Sequence, residues 1–229
     1  MLVASCYDLF RLTRELPLLP SPERSNLSPT KLASRQLELV KRWKERFLPV
    51  TIGGTWGEID LYNIYTVHYY KGYKGLKVDF LDAVYCALAN YTDRPRILCG
   101  DFNTPQAEKL SSKDEEKVIT WGYNEENGEY VLSKERLRQR QDDIERKILL
   151  GLATYDLPDV YRSLHGYENS GTDEAISYIG WGKQKGKKFR YDHVFASKVL
   201  RPKSAEYLHE FRTERKLSDH SPLEAVFEF

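Results

Sequence analysis

The order of strand-like and helix-like segments in the first half of the chain constrains the fold most strongly. Residues 47–52 and 58–70 carry β-prone side chains on either side of a glycine-containing turn, which predicts two strands joined by that turn. Residues 76–91 carry apolar side chains at helical spacing, and residues 94–100 lead into a further strand. Strands joined partly by hairpins and partly across helices predict one layered α/β or α+β domain over residues 1–229.

The remaining segments fit the same class of fold. Residues 107–132 are polar and contain glycine, which predicts an excursion outside the core sheets. The other segments with a regular pattern are two predicted helices, residues 31–46 and 133–152, and three predicted strands, residues 1–5, 189–197 and 221–229.

Charge and hydropathy argue against some classes of function. The chain has 35 basic and 34 acidic side chains, and this balance argues against simple nonspecific nucleic-acid binding, although a local basic face stays open. No apolar run approaches the ~20 residues needed to cross a bilayer, so no membrane span is predicted. Cys86 and Cys99 lie in apolar runs, as buried thiols do in a reducing compartment. Because residues 1–16 also lack the pattern of a signal peptide, we expect a cytoplasmic location.

Polar side chains stand at the ends of four apolar segments, where strand ends can meet at one sheet edge. They are His68, Asp101 with Asn103, Asp192, and Asp219 with His220. Carboxylates hold Mg²⁺, and a histidine oriented by a second carboxylate can transfer a proton or stabilise charge. Successive side chains of a strand point to opposite faces, so only one of Asp192 and His193 can face such a site, and we favour Asp192.

Each of these residues also has a purely structural interpretation. Asp101 could start a turn with Thr104 and Pro105, and Asp219 could begin the turn into the last strand. His68 could be a half-buried packing residue. It is the ordered set, and no single member of it, that favours a catalytic site.

Three motifs in this order resemble the endonuclease/exonuclease/phosphatase superfamily, which includes DNase I, abasic-site endonucleases of the exonuclease III type and inositol phosphate 5-phosphatases. They are GDFN at 100–103, an R-x-D strand at 190–192 and SDHSPL at 218–223. Weaker similarities lie at 65–75, YTVHYYKGYKG, and at 156–167, DLPDVYRSLHGY. The resemblance implies an α/β four-layer sandwich of two mixed β-sheets flanked by helices, with the site at one edge.

The same resemblance implies a role for each matching residue in the hydrolysis of a phosphoester. Asp101 would bind or orient the attacking water and contribute to metal binding, Asn103 would hold the scissile phosphate or that water, and Asp219 would be a ligand of Mg²⁺, with Mn²⁺ as an alternative. His68 would contact a phosphate oxygen. His220 would be the acid/base or charge-stabilising imidazole, and Asp192 its orienting partner.

The substrate is a phosphate ester, with nucleic acid as one candidate. Residues 183–190, KQKGKKFR, including Arg190, could grip a phosphate backbone or form a solvated hairpin loop. Tyr178 and Trp181 could stack on a base or fill a loop.

The chain departs from the family pattern at its beginning, where an Asn-bearing strand, a helix and a strand ending in a metal-binding Glu are expected. Glu23, Asn26 and Glu38 occur in a different order and context. A shortened sequence, an evolutionary remnant, or a half completed by an upstream segment or a partner chain all remain open. We therefore expect a Mg²⁺-dependent nuclease or phosphodiesterase of low activity. The alternative is a weak or inactive remnant that binds nucleic acid or a protein partner.

Overall fold

The structure is a computed structural model that describes residues 2–5, 42–54, 57–67, 74–105, 107–110, 117–120, 125–126, 129–130 and 136–228. Its α-helices, in chain order, are α1 (Lys74–Leu88), α2 (Arg136–Leu149), α3 (Val160–His165) and α4 (Glu210–Thr213). Its strands are β1 (Leu2–Ser5), β2 (Phe47–Gly54), β3 (Gly57–Tyr65), β4 (Arg96–Asp101), β5 (Ala107–Leu110), β6 (Lys117–Thr120), β7 (Glu125–Glu126), β8 (Glu129–Tyr130), β9 (Tyr178–Ile179), β10 (Lys188–Phe189), β11 (Asp192–Ala196), β12 (Pro202–Tyr207) and β13 (Leu223–Phe227).

The central sheet has the strand order β11-β4-β3-β2. The hairpin β2–β3 is antiparallel, β3 and β4 are parallel and joined across α1, and β11 returns antiparallel to β4. The strand-helix-strand arrangement predicted from the sequence is confirmed, and the mixed α/β class with it.

The outer sheet has the order β1-β13-β12, and its described strands pair only with antiparallel neighbours. This pairing follows from connectivity: β12 and β13 are consecutive strands joined by the short α4 segment, and β1 pairs with β13 in antiparallel register, with Leu2 opposite Phe227.

Two apolar cores lie on opposite faces of the central sheet. Leu98 of β4 points toward α1 and α2, where it packs with residues such as Val84 and Ile148. Its neighbours Ile97 and Cys99 point toward the outer sheet, because side chains alternate along a strand. Helices, central sheet and outer sheet thus form three layers of the predicted four-layer sandwich within the described residues.

Element boundaries differ modestly from the sequence expectation. The helix predicted at 76–91 spans Lys74–Leu88, and the one predicted at 133–152 spans Arg136–Leu149. The excursion predicted at 107–132 contains the two short hairpins β5–β6 and β7–β8, which among the described strands pair only within themselves. Most of the helix predicted at 31–46 lies outside the described residues. No helix in the described part of the chain combines the length and apolarity needed to span a membrane.

Candidate active site

The ends of β4 and β11 bring two carboxylates face to face. Asp101 is the last residue of β4 and stands directly opposite Asp192, the first residue of β11, in the antiparallel ladder. Directly opposed residues share a face of the sheet, with Cβ atoms about 5 Å apart. The main chain on both sides is fixed, because the amide of Phe102 donates to the Tyr191 carbonyl (2.8 Å) and the amide of Thr66 donates to the Asp101 carbonyl (2.8 Å).

The turn after β4 holds the Asp101 carboxylate from both sides. Asn103 has a left-handed backbone with φ of +50°, an uncommon conformation that asparagine tolerates better than most residues. Its amide N–H donates to Asp101 Oδ1 (2.8 Å), and its side-chain Nδ2 donates to Asp101 Oδ2 (3.0 Å). The same Nδ2 also donates to the main-chain carbonyl of Thr66 (2.9 Å). The side-chain amide of Asn103 therefore ties the carboxylate to the end of β3.

His220 reaches the same place from the segment before β13. Its Nδ1 lies 2.7 Å from Asp192 Oδ2, and its backbone forms an isolated bridge with Tyr178. The imidazole also packs against the Tyr178 ring, with centroids 4.7 Å apart. An Nδ1–H donated to Asp192 directs the other ring nitrogen, Nε2, away from that carboxylate.

Asp101, Asp192 and His220 form one compact group of potential ligands. One donor atom from each can be chosen so that all three lie within 4.8 Å of one another. Carboxylate oxygens suit Mg²⁺ and Mn²⁺, so the chemistry of the two aspartates fits a divalent cation. His220 Nδ1 and Asp192 Oδ2 already engage each other, which leaves Asp101 as the carboxylate of the group that is not paired with the imidazole.

The charges of this group shift two pKa values upward. Burial of the imidazole lowers the pKa of His220, but the charge of Asp192 and its hydrogen bond outweigh that effect and raise the pKa to about 9. Desolvation and the charge of Asp192 raise the pKa of Asp101 to about 7, although His220 and Lys77 act in the opposite direction. Together these shifts favour a protonated His220 imidazole next to an Asp101 carboxyl that is a stronger base than an ordinary aspartate.

Two solved structures share this arrangement of elements. An AP endonuclease from Archaeoglobus fulgidus is 21% identical with a TM-score of 0.55, over 82% of this chain and 67% of its own. The catalytic domain of APE2 from Xenopus laevis is 18% identical with a TM-score of 0.50, over 80% of this chain and 55% of its own. The chain has the endonuclease/exonuclease/phosphatase fold. It spans about half to two thirds of the length of these structures. No protein-family model matches it, and no curated protein sequence does.

Within this endonuclease/exonuclease/phosphatase fold, the motif residues predicted from the sequence fall in different places. Asp101, Asn103, Asp192 and His220 come together, as described above. Asp219 is exposed and lies outside the three-residue group, although its charge contributes to the raised pKa of His220. His68 lies outside the described residues.

The three predicted substrate residues differ strongly in accessibility. Trp181 is 72% exposed on the segment between β9 and β10, whereas Tyr178 is buried in an aromatic stack with Phe189 and Tyr191. The Arg190 side chain is only 3% exposed. Its guanidinium is directed at buried carboxylates and not at the surface. The attraction to those carboxylates offsets the free energy needed to remove its charge from water.

Sequence reasoning missed a second set of charges behind the site. Lys77 of α1 and Glu145 of α2 are fully buried, with Nζ and Oε1 3.4 Å apart, and Lys77 Nζ donates to the Asn103 carbonyl (2.6 Å). A signal was present in the sequence: Lys77 lies four residues before Leu81, and Glu145 four before Leu149, on the apolar face of each helix. A charged residue on the buried face of a helix is the pattern that identifies such a pair.

Proposed function

We propose that this chain is a divalent-metal-dependent phosphoester hydrolase of the nuclease or phosphodiesterase type. The observation that carries the proposal is the convergence of Asp101, Asp192 and His220 from three separate segments at one edge of the central sheet. A turn or a packing role does not require two opposed carboxylates and an imidazole within 4.8 Å. Such groups together supply a base, a positive charge and a place for a cation.

Asp101 and His220 divide the chemistry. Asp101, whose pKa is raised by burial and by the charge of Asp192, can orient a water molecule and act as its base. His220, kept positive by Asp192, can place Nε2 against a phosphoryl oxygen and stabilise the negative charge that develops there. Asn103 fixes the orientation of the Asp101 carboxylate through its two hydrogen bonds.

Asp101 and Asp219 are the residues that we propose to hold Mg²⁺, with Mn²⁺ as an alternative. Both offer carboxylate oxygens, the ligands that hard divalent cations prefer. When bound, the cation would neutralise charge on the phosphoryl oxygens.

The surface next to His220 favours nucleic acid as the substrate class. Trp181 presents its ring to solvent, and Lys185 and Lys187 are exposed on the same hairpin. An exposed aromatic side chain next to cations is typical of surfaces that bind single-stranded nucleic acid. Tyr178 links this hairpin to the site through its contact with the His220 ring.

A hydrolysis screen tests the proposal directly. The purified chain is incubated with bis(p-nitrophenyl) phosphate, p-nitrophenyl phosphate, single-stranded DNA and duplex DNA, with Mg²⁺, with Mn²⁺ or with EDTA. We expect metal-dependent cleavage of a diester that falls by about 100-fold or more in Asp101→Asn and in His220→Ala, because each removes a group acting on water or phosphate.

Asp143→Asn and His165→Ala are the matched controls, since both side chains are exposed and lie outside the three-residue group. Turnover that survives in Asp101→Asn, or that does not depend on a metal, would contradict the proposal. Binding of DNA by wild type without any turnover would instead identify the chain as the noncatalytic remnant.

A further inference from the structure

A buried ion pair stands directly behind the Asp101–Asn103 turn. Lys77 enters from α1 and Glu145 from α2, and neither side chain is accessible to solvent. Lys77 Nζ lies 3.4 Å from Glu145 Oε1 and donates to the carbonyl of Asn103 at 2.6 Å. Gln141, one turn earlier on α2, donates its Nε2 to the same Glu145 oxygen (2.9 Å). Two helices are thereby connected to one main-chain carbonyl of the site.

That carbonyl belongs to the residue with the unusual backbone. The amide and the side chain of Asn103 both point to Asp101, so its carbonyl is turned toward the helices. Asparagine adopts a left-handed backbone more readily than most residues, and fixed partners for its polar groups stabilise that conformation further. Lys77 satisfies the Asn103 carbonyl in the buried layer, where a carbonyl without a donor would be costly.

Stability alone is a weak explanation for this pair. Taking two charges out of water costs free energy that their attraction repays only in good geometry, and apolar residues of similar size often serve as well or better. The 3.4 Å separation is longer than that of a strong charged hydrogen bond, whereas the contact to Asn103 is short. The geometry therefore favours Lys77 as a donor to the turn, with Glu145 balancing its charge.

We propose that Lys77, held by Glu145, is a positioning residue that fixes the Asn103 turn and through it the Asp101 carboxylate. The proposal rests on the proposed hydrolytic function, since the carboxylate that it positions is the one assigned to the attacking water. Lys77 itself touches neither water nor phosphate in this scheme.

The test uses the double variant Lys77→Met/Glu145→Gln in the full chain. It removes both charges, keeps the side-chain volumes, and leaves Gln141 an acceptor on residue 145. The first measurement is amide hydrogen exchange by NMR without metal. We expect the Asn103 amide, which donates to Asp101, to exchange about 10-fold faster, while Val194 in β11 keeps its wild-type rate.

The second measurement is a kinetic double-mutant cycle with Asn103→Ala. We expect the Lys77/Glu145 variant to lower kcat by about 100-fold with little change in KM, because it misplaces a reacting group. If Lys77 acts through the Asn103 turn, the combined variant loses less kcat/KM than the product of the two separate losses, because both changes loosen the same Asp101 carboxylate.

Arg96→Met is the matched control for losing a buried cation. Arg96 is 1% exposed at the other end of β4 and donates to the carbonyls of Leu88 and Asn90. Its loss should destabilise the fold as a whole without a selective increase in the amide exchange rate of Asn103. If the double variant does not fold, Lys77→Gln/Glu145→Gln, which also removes both charges but keeps polar side chains beside Gln141, is measured in the same way.

The outcomes separate this proposal from the proposed function. Unchanged exchange at Asn103 relative to Val194, or losses that multiply in the cycle, would overturn the positioning role. If wild type hydrolyses no phosphoester, the proposed function fails, and hydrogen exchange alone then decides whether Lys77 fixes the turn.

Discussion

The Asp192–His220 pair shows which electrostatic effect dominates at the candidate site. Burial alone favours a neutral imidazole and would lower the pKa of His220. A carboxylate 2.7 Å away reverses that preference, and the pKa rises to about 9. For Asp101, burial and the nearby charge of Asp192 act in the same direction, and together they raise its pKa to about 7. One carboxylate thus holds a proton on its histidine neighbour and makes its aspartate neighbour a better base.

Asp192→Asn should therefore lower the pKa of His220 from about 9 toward 6.5, since the largest raising charge is removed while burial remains and Asp101 and Asp219 keep a smaller raising effect. The imidazole ¹H–¹⁵N signals of the metal-free protein, followed from pH 5 to 10, measure it. A raised pKa in the folded state means that the pair stabilises wild type fully below about 6.5 and loses this effect as the pH rises through about 9.

Asp143→Asn, which removes an exposed carboxylate on α2, should leave the His220 titration unchanged. A His220 pKa that stays near 9 in Asp192→Asn would show that another group holds the proton.

Arg190 shows why residue type and sequence position do not always predict where a side chain points. The convergence of Asp101, Asp192 and His220 could be predicted from the order of the motifs, whereas their roles stay predictions. Arg190 belongs to a basic run that predicts a surface contact, but its guanidinium turns inward to carboxylates at residues 108 and 159. Those partners are far away in sequence, and no local sequence pattern predicts that they pair with Arg190.

At the scale of single elements, β4 depends on a glycine within the GDFN motif. Gly100 has φ of +137°, and a Cβ there would lie 1.9 Å from the Ile64 carbonyl oxygen and 2.9 Å from Asn63 Oδ1. β3 and β4 therefore approach more closely at this point than any side chain allows. The approach lies one residue before Asp101, so it also sets where the carboxylate emerges from the strand.

Gly100→Ala should destabilise the fold by about 3 kcal/mol or more, because it adds backbone strain to a collision with β3. Urea unfolding followed by circular dichroism measures the change in the free energy of unfolding. Gly53→Ala in β2 is the matched control, since the nearest atom to its added Cβ is 4.0 Å away. Equal stability of the two variants would mean that β4 can move away from β3 at little cost.

The elements that could be predicted were those with a regular spacing of apolar side chains or with clear turn residues. The helix between β3 and β4 and the hairpin β2–β3 followed from apolar spacing and turn residues, which depend on local sequence. The pairing partners of the outer sheet could not be predicted, because β1 pairs with a strand more than 200 residues later and no turn specifies that register.

At the scale of the whole molecule, one buried carboxylate joins distant segments. Glu108 of β5 accepts two hydrogen bonds from Arg162 of α3 (2.9 and 3.0 Å) and two from Arg190 (both 2.8 Å). Arg190 also donates to Asp159, the N-cap of α3 (2.8 Å). The β5–β6 hairpin is thereby tied to α3 and to the segment that enters β11, two residues before Asp192.

The charge of this network is a source of acid-sensitive stability. Burial by itself would raise the pKa of Glu108, but Arg190 and Arg162 outweigh it and lower the pKa to about 2 from an ordinary 4.5. A depressed pKa in the folded state stabilises the fold at pH values above about 4.5, and this stabilisation is lost as the pH falls toward about 2.

Glu108→Gln should lower the free energy of unfolding at pH 7 by about 3 kcal/mol, both from the pKa difference and because two buried guanidinium groups lose their shared anion. The gap between variant and wild type, measured by urea unfolding at several pH values, should narrow between about pH 4.5 and 2. Glu58→Gln, which breaks a more exposed pair with Arg94, should cost less than about 1 kcal/mol. If the difference in free energy of unfolding between Glu108→Gln and wild type stays constant with pH, packing explains the lost stability. If the difference narrows as the pH falls, the charge of Glu108 holds the hairpin, α3 and the entry to β11 together.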